Sequence, residues 1–463
     1  MSSETSERAA ASKPMPSGAP LTTSLAQFVS GLEFADIPTR AVETARIGFA
    51  DCVGVTLAGA AEPVVRKLMD AIGSSPGKSS VLFGETAMHA AHAAWINGTA
   101  AHALDFDDAA LRGHPSAVLV PAILAEAQAL GRPGADAIAA YVAGYEVWAE
   151  LAHRDGESHH RKGWHPTGIF GPVAAAAACA RLHRLDACAT AHALAMAASR
   201  SSGLMANFGS MTKPMHAGNA AHAGVVAARL ASVGATGALD AIEHPQGFLS
   251  AVSPSGRIDK ATDVHGSRSW HILQYGLNIK KYPMCYCTHR PIDAMLALQQ
   301  EHQWTPGEIA NIDVSISGRN ATVLRNHEPK TGLAGKFSIE FAMACAVIAG
   351  RVGLAQVSDE FVSRDDVQAL MPKVTVTINP EEDPESGYAP YDWVTVRLAD
   401  GRTIESERVR DARGAHAIPL TRQERLEKFE DCARAGEFKG DAAVFFDRLD
   451  ALVTLSDLTR LQG

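Results

Sequence analysis

The sequence predicts a mainly α protein, with a large discontinuous all-helical domain and a smaller α+β domain. Three observations support this fold class. Apolar residues recur every three or four positions in the first half, several alanine-rich segments are apolar on most faces, and a period of two appears after residue 259. The chain has 463 residues, of which 46% are hydrophobic and 20% charged, so it can bury a large core and is not globally disordered.

The first part of the helical domain extends from residue 21 to residue 259, after a disordered tail at residues 1–20. Asp36 and Pro38 are typical of a helix start, because proline in the first turn needs no N–H partner. Val42, Ala45 and Phe49 then recur at helical spacing. The alanine-rich segments 89–104, 173–180 and 187–199 predict closely packed, buried helices at the centre of the domain.

The α+β domain covers residues 260–405 and contains three segments in which apolar and polar residues alternate. These segments begin at Ile312, Val374 and Val394, and an Asp-Gly turn connects the last one to a short partner at residues 403–404. The apolar segment 338–348 predicts a helix between the first and second strands. Residues 406–463 contain amphipathic helices that we expect to return to the helical domain, which makes that domain discontinuous.

The composition argues against several classes of function. The formal net charge of −9 disfavours a nucleic-acid surface built on bulk positive charge. No apolar run reaches the roughly 18 residues of a membrane-spanning helix, and the first twenty residues lack the apolar run of a signal peptide. The seven cysteines form no CxxC pair, which favours reduced thiols over a disulfide framework or a cysteine zinc site. We therefore expect a cytoplasmic protein that binds neither nucleic acid nor membranes.

A first candidate site is the acidic motif that follows the long apolar segment 89–104. Asp105, Asp107 and Asp108 cannot be buried unpaired, so they either lie on a solvated loop or are compensated by Arg112, a histidine or a metal. The Gly-His-Pro sequence around His114 fixes an imidazole in a tight turn, and an imidazole titrates near neutral pH. The alternative interpretation is an ordinary polar helix end.

Two further motifs place cationic or titratable groups near predicted helix starts. His165 lies between Gly and Pro residues just before an alanine-rich helix, where free N–H groups favour an anion. Lys213 and His216 follow a glycine-containing turn that leads into another helix. The spacing around Lys213 is not that of a phosphate-binding P-loop.

The fourth motif is a short cationic stretch that contains Lys280, Lys281, His289 and Arg290. An ordinary surface loop could have this composition. In a chain of net charge −9, however, a local cationic cluster indicates an acidic ligand. Together, the four motifs predict a pocket for a polycarboxylate with positioned acids and bases.

The motifs AHALDFDD, GHPSAVLVPA, GWHPTGIFG, GSMTKPMHAGNAA, KKYPMCYCTH and TGLAGKFSIEF occur in this order. Together they resemble the MmgE/PrpD family, which includes 2-methylcitrate dehydratase, cis-aconitate decarboxylase and iminodisuccinate epimerase. The resemblance covers nearly the whole chain, from about residue 25 to about residue 455. It implies a helical domain built from both chain ends, an α+β lid domain, a homodimer, and a metal-free active site between the domains. No cofactor is expected.

The resemblance also implies which residues form the site. The catalytic candidates are Asp105, His114, His165 and Lys213. The substrate-binding candidates are Lys281, His289, Arg290 and His216. We assign His114 and His165 as an acid/base pair, Lys213 and Lys281 as stabilisers of a carboxylate or enolate, and Asp105 as an orienter of an imidazole or lysine.

The leading functional interpretation is a hydro-lyase that acts on a hydroxy di- or tricarboxylate of the 2-methylcitrate type. An epimerase of a substituted succinate and a cis-aconitate-type decarboxylase are the nearest alternatives. The decarboxylases of the family carry a threonine four residues after the aspartate, where this chain has Ala109, and the loop before His114 is shorter. These departures disfavour decarboxylation, and the motifs around Asp105 and Lys213 are closer to the epimerase branch.

Two different classes of function are also compatible with parts of the sequence. The acidic motif on a helical fold suggests a magnesium-dependent prenyl-diphosphate enzyme, because carboxylates bind Mg²⁺. The strand-rich second domain and the lack of a second acidic motif argue against that class. A catalytically inactive polycarboxylate-binding protein is the other alternative, and the full set of histidines and lysines at the motif positions disfavours it.

Overall fold

The structure is a computed structural model that describes residues 20–85, 87–264, 269–384, 387–459 and 461. Helices hold 55% of it and strands 9%, which confirms the mainly α class. The predicted tail, apart from Pro20, lies outside the described residues. The chain divides into two compact units. Unit 1 contains Met1–Ala103, Asp108–Leu277 and Lys439–Gly463, whereas unit 2 contains Leu104–Asp107 and Asn278–Phe438.

Unit 1 is built from helices that surround an alanine-rich centre. The helices are α1 (Leu21–Gly31), α2 (Thr39–Gly59), α3 (Pro63–Ile72), α4 (Ala90–Ala103), α5 (Pro115–Leu130), α6 (Gly134–His153), α7 (Pro166–His183), α8 (Ala187–Ala198), α9 (Thr212–Ser232), α10 (Phe248–Val252) and α11 (His271–Tyr275). Helix α9 packs against α4, α5 and α7, and α5 also packs against α4 and α7. In the described part of the chain, no single helix is long and apolar enough to cross a membrane. Only α2 and α3 taken together, with an 87° bend between them, reach that length and composition.

Small residues explain how closely the central helices approach. A Cβ atom on Gly98 of α4 would lie 2.9 Å from the Cα atom of Gly218 of α9. A Cβ atom on Gly224 would lie 2.3 Å from the Cβ atom of Ala175 of α7. Larger side chains at these positions would force the helix axes apart. The packing therefore accounts for the composition that predicted a buried helical centre.

Unit 1 is not all-helical, because it also contains a two-stranded antiparallel hairpin. Strands β1 (Pro76–Ser80) and β2 (Ala87–Met88) pair with a register shift. The Ser79 hydroxyl donates to the Ala125 carbonyl at 2.6 Å, and the Asn97 side chain bonds Ser80 O and Leu82 N. These side-chain bonds attach the hairpin to α5 and α4. They do not depend on an alternating apolar pattern, so the sequence did not predict the hairpin.

Unit 2 combines a mixed sheet with seven described helices. The strands are β3 (Ile309–Ile316), β4 (Val374–Ile378), β5 (Trp393–Leu398) and β6 (Thr403–Glu405), in the order β4-β3-β5-β6. Strands β3 and β4 are parallel, and the other pairs are antiparallel. The helices are α12 (His289–His302), α13 (Gly318–Val323), α14 (Gly332–Gly335), α15 (Ile339–Ala349), α16 (Asp359–Val362), α17 (Asp365–Leu370) and α18 (Arg422–Ala435). The alternating apolar residues of the sheet and the buried face of α15 form one core.

The boundaries between the units differ from the predicted domain limits of 259/260 and 405/406. Residues 260–277 belong largely to unit 1, where His271 and Ile272 donate their backbone N–H groups to the Glu146 carboxylate at 2.9 Å. Helix α18 belongs to unit 2, where Glu424 pairs with Arg413. The chain then returns to unit 1 through α19 (Ala442–Asp450), so unit 1 is discontinuous.

Candidate active site

His114 and His165 occupy equivalent positions in unit 1. Each is the residue before a helix, and each is followed by a proline at the first helical position. The residue before a proline is disfavoured in the α conformation, so the Pro115 and Pro166 rings help to end the preceding loop at the histidine. Both helices are buried, and His165 itself is only 2% exposed. The Gly-His-Pro and Trp-His-Pro sequences therefore fix two imidazoles on rigid elements.

These two histidines belong to a cluster of four imidazoles, which we call the histidine cluster: His102, His114, His165 and His216. The ring centroid of His102 lies 4.5 Å from that of His114 and 5.6 Å from that of His165. The Nδ1 atoms of His165 and His216 are 3.1 Å apart, so one ring donates a hydrogen bond to the other. Three of the sequence-predicted residues thus lie together, with His102 as an additional member.

Burial determines the protonation of two members of the cluster, His165 and His216. It lowers the pKa of His165 well below 6.5, and the neighbouring His102 and Lys213 lower that pKa further. Burial also lowers the pKa of His216, with a smaller contribution from Lys213. His165 and His216 are therefore neutral at pH 7, so each has a ring nitrogen that can accept a proton.

The tautomer of His114 follows from its backbone contact. Its Nδ1 atom lies 2.8 Å from the Asp108 carbonyl oxygen, and because a carbonyl can only accept, Nδ1 carries the proton. Nε2 then holds the lone pair in the neutral ring. Asp108 is itself buried, and its carboxylate accepts hydrogen bonds from the backbone N–H and the hydroxyl of Ser116. Ser116 thus donates two hydrogen bonds to the buried Asp108 carboxylate.

Arg112 does not compensate the acidic motif. Its guanidinium donates to the backbone carbonyls of Asp155, Gly156 and Glu157 at 2.8–3.1 Å. Leu111 and Arg112 both have positive φ values, of 50° and 66°, so the loop before His114 is a strained turn. Arg112 connects this turn to the loop after α6.

Lys213 lies in the first turn of α9 beside the histidine cluster. Its Nζ atom is 5.7 Å from the centroid of the Phe208 ring, and that ring meets the His165 ring edge-on at 4.9 Å. The lysine is half-buried, so its charge acts on the neighbouring imidazoles with less screening than in water. Unit 1 therefore combines neutral imidazoles with a cation that can hold a carboxylate.

Asp105 belongs to unit 2, where three lysines bind the segment that contains it. Lys280 donates to both the backbone oxygen and the carboxylate of Asp105, at 2.6 and 2.9 Å. Lys336 and Lys428 donate to the carbonyls of Leu104 and Phe106, at 2.7 and 3.0 Å. We call these residues the lysine clamp: Lys280, Lys336 and Lys428. The clamp holds Asp105 in the left-handed region, at φ 54°.

Lys280 is charged although it is only 2% exposed. Burial alone would lower its pKa, but the nearby carboxylates of Asp105 and Asp107 outweigh burial, so the pKa lies above 10.5. The family resemblance predicted Lys281 rather than Lys280 as the functional lysine of this motif. Nothing in the two adjacent lysines indicates which one is directed at Asp105, so this distinction required the structure.

The other candidate residues of unit 2 make their side-chain contacts with residues of the same unit. Lys281 donates to Glu424 at 3.2 Å beside a surface cleft of about 750 Å³. His289 is fully buried against Tyr282 and Tyr286, and burial together with Lys280 lowers its pKa to about 3. Arg290 pairs with the buried Asp392 at 2.9 Å. The substrate-binding roles of these three residues stay predictions.

One group of residues in unit 1 could hold a metal ion. A ring nitrogen of each of His102, His114 and His165 lies within 4.8 Å of the other two. The arrangement can also transfer protons, because imidazoles that are neutral at pH 7 act as general bases. With Lys213 beside them, the four imidazoles can remove or deliver a proton next to a bound carboxylate.

Comparison with known sequences defines the class of protein. The MmgE/PrpD N-terminal domain matches residues 23–261, and the MmgE/PrpD C-terminal domain matches residues 282–444. The chain therefore belongs to the MmgE/PrpD family, as the sequence motifs indicated, and the members found by comparison are enzymes.

The curated relatives carry a more specific name. Cis-aconitate decarboxylase of Homo sapiens is 28% identical over 427 residues, which are 88% of this chain and 87% of the relative. The enzyme of the same name from Mus musculus is 27% identical over 95% of this chain and 93% of its own length. That of Aspergillus terreus is 25% identical over 95% of both chains. The similarity spans both units and supports decarboxylation better than the dehydration that the sequence analysis favoured.

Proposed function

We propose that this protein is a metal-independent lyase that decarboxylates a cis-aconitate-like tricarboxylate. The observation that carries the proposal is the convergence of four imidazoles and Lys213 in unit 1. The names of the relatives, which cover nearly the whole chain, support the choice of reaction. The proposal replaces 2-methylcitrate-type dehydration as the leading interpretation.

Decarboxylation next to a double bond requires that a C–CO₂⁻ bond break and that its electron pair shift through the alkene. The distal carbon is then protonated, and CO₂ leaves. Lys213 would hold a carboxylate and stabilise the developing negative charge. A proton from water would pass through His165 to Nε2 of His114, whose Nδ1–H is committed to the Asp108 carbonyl. His114, then protonated on both ring nitrogens, would deliver the Nε2 proton to the distal carbon and return to its neutral form.

The residues of the lysine clamp would keep their charges during the reaction and would not transfer protons. Lys280 is buried, charged and bound to Asp105 at 2.9 Å, so neither partner changes protonation easily near pH 7. Asp105 would therefore orient a lysine, as the sequence analysis predicted for it. We expect its replacement to change the geometry of the segment 104–107 rather than to remove a proton carrier.

Ala109 favours two other reactions of the family as second candidates. The decarboxylases with which the motif was compared carry a threonine at this position, so this chain lacks one hydroxyl that they have. The same cluster could remove a proton next to a carboxylate and expel hydroxide, as in a dehydratase. It could also return the proton to the opposite face, as in an epimerase.

The experiment that tests the proposal uses purified, chelator-treated protein in heavy water. Cis-aconitate, citrate, 2-methylcitrate and substituted succinates are supplied separately and followed by proton NMR. Itaconate and CO₂ from cis-aconitate are the expected products. New vinylic signals from a hydroxy acid would show that the reaction is dehydration and not decarboxylation. Deuterium uptake without a new carbon skeleton would show that it is epimerisation. An absence of turnover across the panel would overturn the proposal.

A further inference from the structure

His102 is a buried member of the histidine cluster to which the proposed reaction assigns no separate step. It lies in the last turn of α4 and is 1% exposed. Its ring stacks on that of His165, at an interplanar angle of 20°, and lies close to that of His114. The three rings belong to three different helices or helix starts. An arrangement of three converging imidazoles is also a familiar ligand set for a transition metal.

The separations of the ring nitrogens suit such an ion after small side-chain rotations. One nitrogen from each ring lies within 4.8 Å of the other two. Zn–N bonds of about 2.0–2.1 Å at tetrahedral angles place ligand nitrogens roughly 3.3 Å apart. Each pair of ligand nitrogens would therefore have to approach by at most about 1.5 Å, and we expect rotation of the imidazoles to supply this approach.

The surroundings of two of the rings also match those of metal ligands. Histidines that bind metals almost always donate their second ring N–H to a carbonyl, a carboxylate or water. His114 makes this contact with the Asp108 carbonyl at 2.8 Å, so Nε2 would be its ligand atom. His165 can make it with Nδ1 of His216 at 3.1 Å. These contacts restrict both rings to small rotations.

The local charges define which ions the site would take and how tightly. Neutral imidazoles suit Zn²⁺, Co²⁺, Ni²⁺ and Cu²⁺, whereas Mg²⁺ and Ca²⁺ prefer oxygen ligands. Lys213 is close enough to act on His165 electrostatically and would repel a divalent cation. The ligand set offers no negative charge to offset this repulsion. We therefore expect weaker binding than at a site completed by a carboxylate.

We propose that His102, His114 and His165 form a binding site for a borderline divalent transition-metal ion, and that the bound ion blocks catalysis. The ion would be an inhibitor, because it would occupy the nitrogen lone pairs that proton transfer needs. The binding part of the proposal stands on the geometry alone. The blocking part rests on the proposed function, since it requires that the same imidazoles act on substrate.

Titration of the full-length, chelator-treated protein with Zn²⁺ by calorimetry tests the binding, in a buffer that does not bind metal. Co²⁺ serves as a second probe, because tetrahedral Co²⁺ absorbs strongly in the visible range. We expect one ion per chain. The variant His102→Gln should weaken binding at least about 10-fold and abolish the Co²⁺ absorption.

Cys188 supplies a matched control. Its sulfur lies 3.7 Å from His192 Nε2 at an exposed position, so this pair is the obvious adventitious site. The variant Cys188→Ser should bind Zn²⁺ as the parent does. Loss of binding in Cys188→Ser, unchanged binding in His102→Gln, or no binding at millimolar Zn²⁺ would each overturn the proposal. If His102→Gln fails to fold, the half-buried His114→Gln replaces it with the same expected loss.

Inhibition is measured separately, at free Zn²⁺ concentrations set by a metal buffer because polycarboxylates chelate zinc. We expect the parent protein to lose activity over the same Zn²⁺ range in which it binds the ion. Full activity at saturating Zn²⁺ would overturn the blocking part. Specific Zn²⁺ binding by a protein that turns over no substrate would overturn the proposed function, and the blocking with it, while the metal site would stand.

Discussion

The histidine cluster of unit 1 and the lysine clamp of unit 2 show two opposite ways of burying titratable groups. His165 and Lys280 are equally inaccessible, at 2% exposure each. Burial disfavours the charged form of both side chains. In the histidine cluster the neighbours of His165 are other imidazoles and a lysine, so they disfavour its charged form further. In the lysine clamp the neighbours are carboxylates, so the charged form is retained.

This difference separates a region that can exchange protons from one that holds charge in place. A neutral imidazole has a lone pair that can accept a proton, and a neighbouring imidazole can receive that proton from it. A buried lysine bound to Asp105 does not exchange protons in this way, because a change in the protonation of either partner leaves an unpaired buried charge. Substitutions in the two regions test this division.

The largest effect is expected at the proton-exchanging region. Replacement of His165 by Ala should lower kcat by about 10²–10⁴, because general acid–base groups contribute a factor of that size. The measurement is a steady-state assay with whichever substrate the NMR panel identifies. His244→Ala, at an exposed position of unit 1, is the control and should keep the parent kcat. A negligible change in kcat would remove His165 from the mechanism.

The next effect concerns stability in the charge-holding region. The variant Lys280→Met leaves Asp105 without its cationic partner and should reduce the free energy of unfolding by about 3 kcal/mol, the lower end of the range for a broken buried pair. Urea unfolding monitored by tryptophan fluorescence measures the change. The control Lys330→Met removes a lysine that bonds Gln368 at an exposed position and should cost less than about 1 kcal/mol. Equal losses in the two variants would contradict the clamp.

Adding Asp105→Asn to Lys280→Met sharpens this test. If the penalty comes from an unpaired carboxylate, the double variant should recover part of the stability that the single variant loses. If the penalty comes only from lost packing of the lysine stem, the second substitution should recover nothing.

The sequence predicted the mainly α fold because its helical period and its alanine content reflect packing that the helices require. It also predicted the strands β3, β4 and β5 from the alternation of apolar and polar residues, although Ile378 at the end of β4 is exposed. It did not predict β1, since the segment Pro-Gly-Lys-Ser-Ser contains no apolar alternation and is held by side-chain bonds to distant helices. The limits of the two units depend on tertiary contacts, such as those of Glu146 with residues 271 and 272, that have no local signal.

The candidate site follows the same division. His114 and His165 were identifiable because a Gly or Trp residue before them and a Pro residue after them mark local backbone geometry. The convergence of His102 with them depends on how α4, α5 and α7 cross, which no spacing encodes. The distinction between Lys280 and Lys281 depends on a single step along an irregular segment, so adjacent identical residues carried no information about which one pairs with Asp105.

A third prediction concerns how stability depends on pH. Within unit 2, the buried histidine His289 is neutral whereas the buried lysine Lys280 is charged. Burial and Lys280 hold the pKa of His289 at about 3, whereas an unfolded histidine titrates near 6.5. Between these values the unfolded chain binds the additional proton, so this histidine makes the protein less stable as pH falls below about 6.5. Its contribution to the slope should approach about 1.4 kcal/mol per pH unit between pH 6 and pH 4.

The slope is measured by urea unfolding at several pH values for the parent and for His289→Asn. The variant should show a shallower dependence on pH, whatever its stability at pH 7. Met295→Ala is the matched control, because it removes a buried side chain of the same helix α12 without removing a titratable group. It should lower stability and keep the parent slope. Parallel slopes for His289→Asn and the parent would show that His289 does not titrate as described.

The smallest effect is expected at Lys281, the lysine that the sequence placed in the substrate site. Its Nζ atom lies 3.2 Å from Glu424, but Arg413 already binds both oxygens of that carboxylate, at 3.1 and 2.7 Å. Arg413 is also the main reason why the pKa of Glu424 lies far below its ordinary value. Because the carboxylate keeps its stronger partner, Lys281→Met should change the free energy of unfolding by less than about 1 kcal/mol.

The same variant decides which lysine of the motif matters for substrate. Lys281 is about one-third exposed and bound to a surface carboxylate, so we expect Lys281→Met to leave both KM and kcat unchanged. Steady-state kinetics on the parent, Lys281→Met and Lys280→Met make the comparison. A several-fold rise in KM for Lys281→Met, with kcat unchanged, would restore Lys281 as the substrate-binding residue. In that case the Lys280–Asp105 pair would support the segment 104–107 without contacting substrate. Substrate binding would then depend on a partly exposed cation, Lys281, that belongs neither to the histidine cluster nor to the lysine clamp.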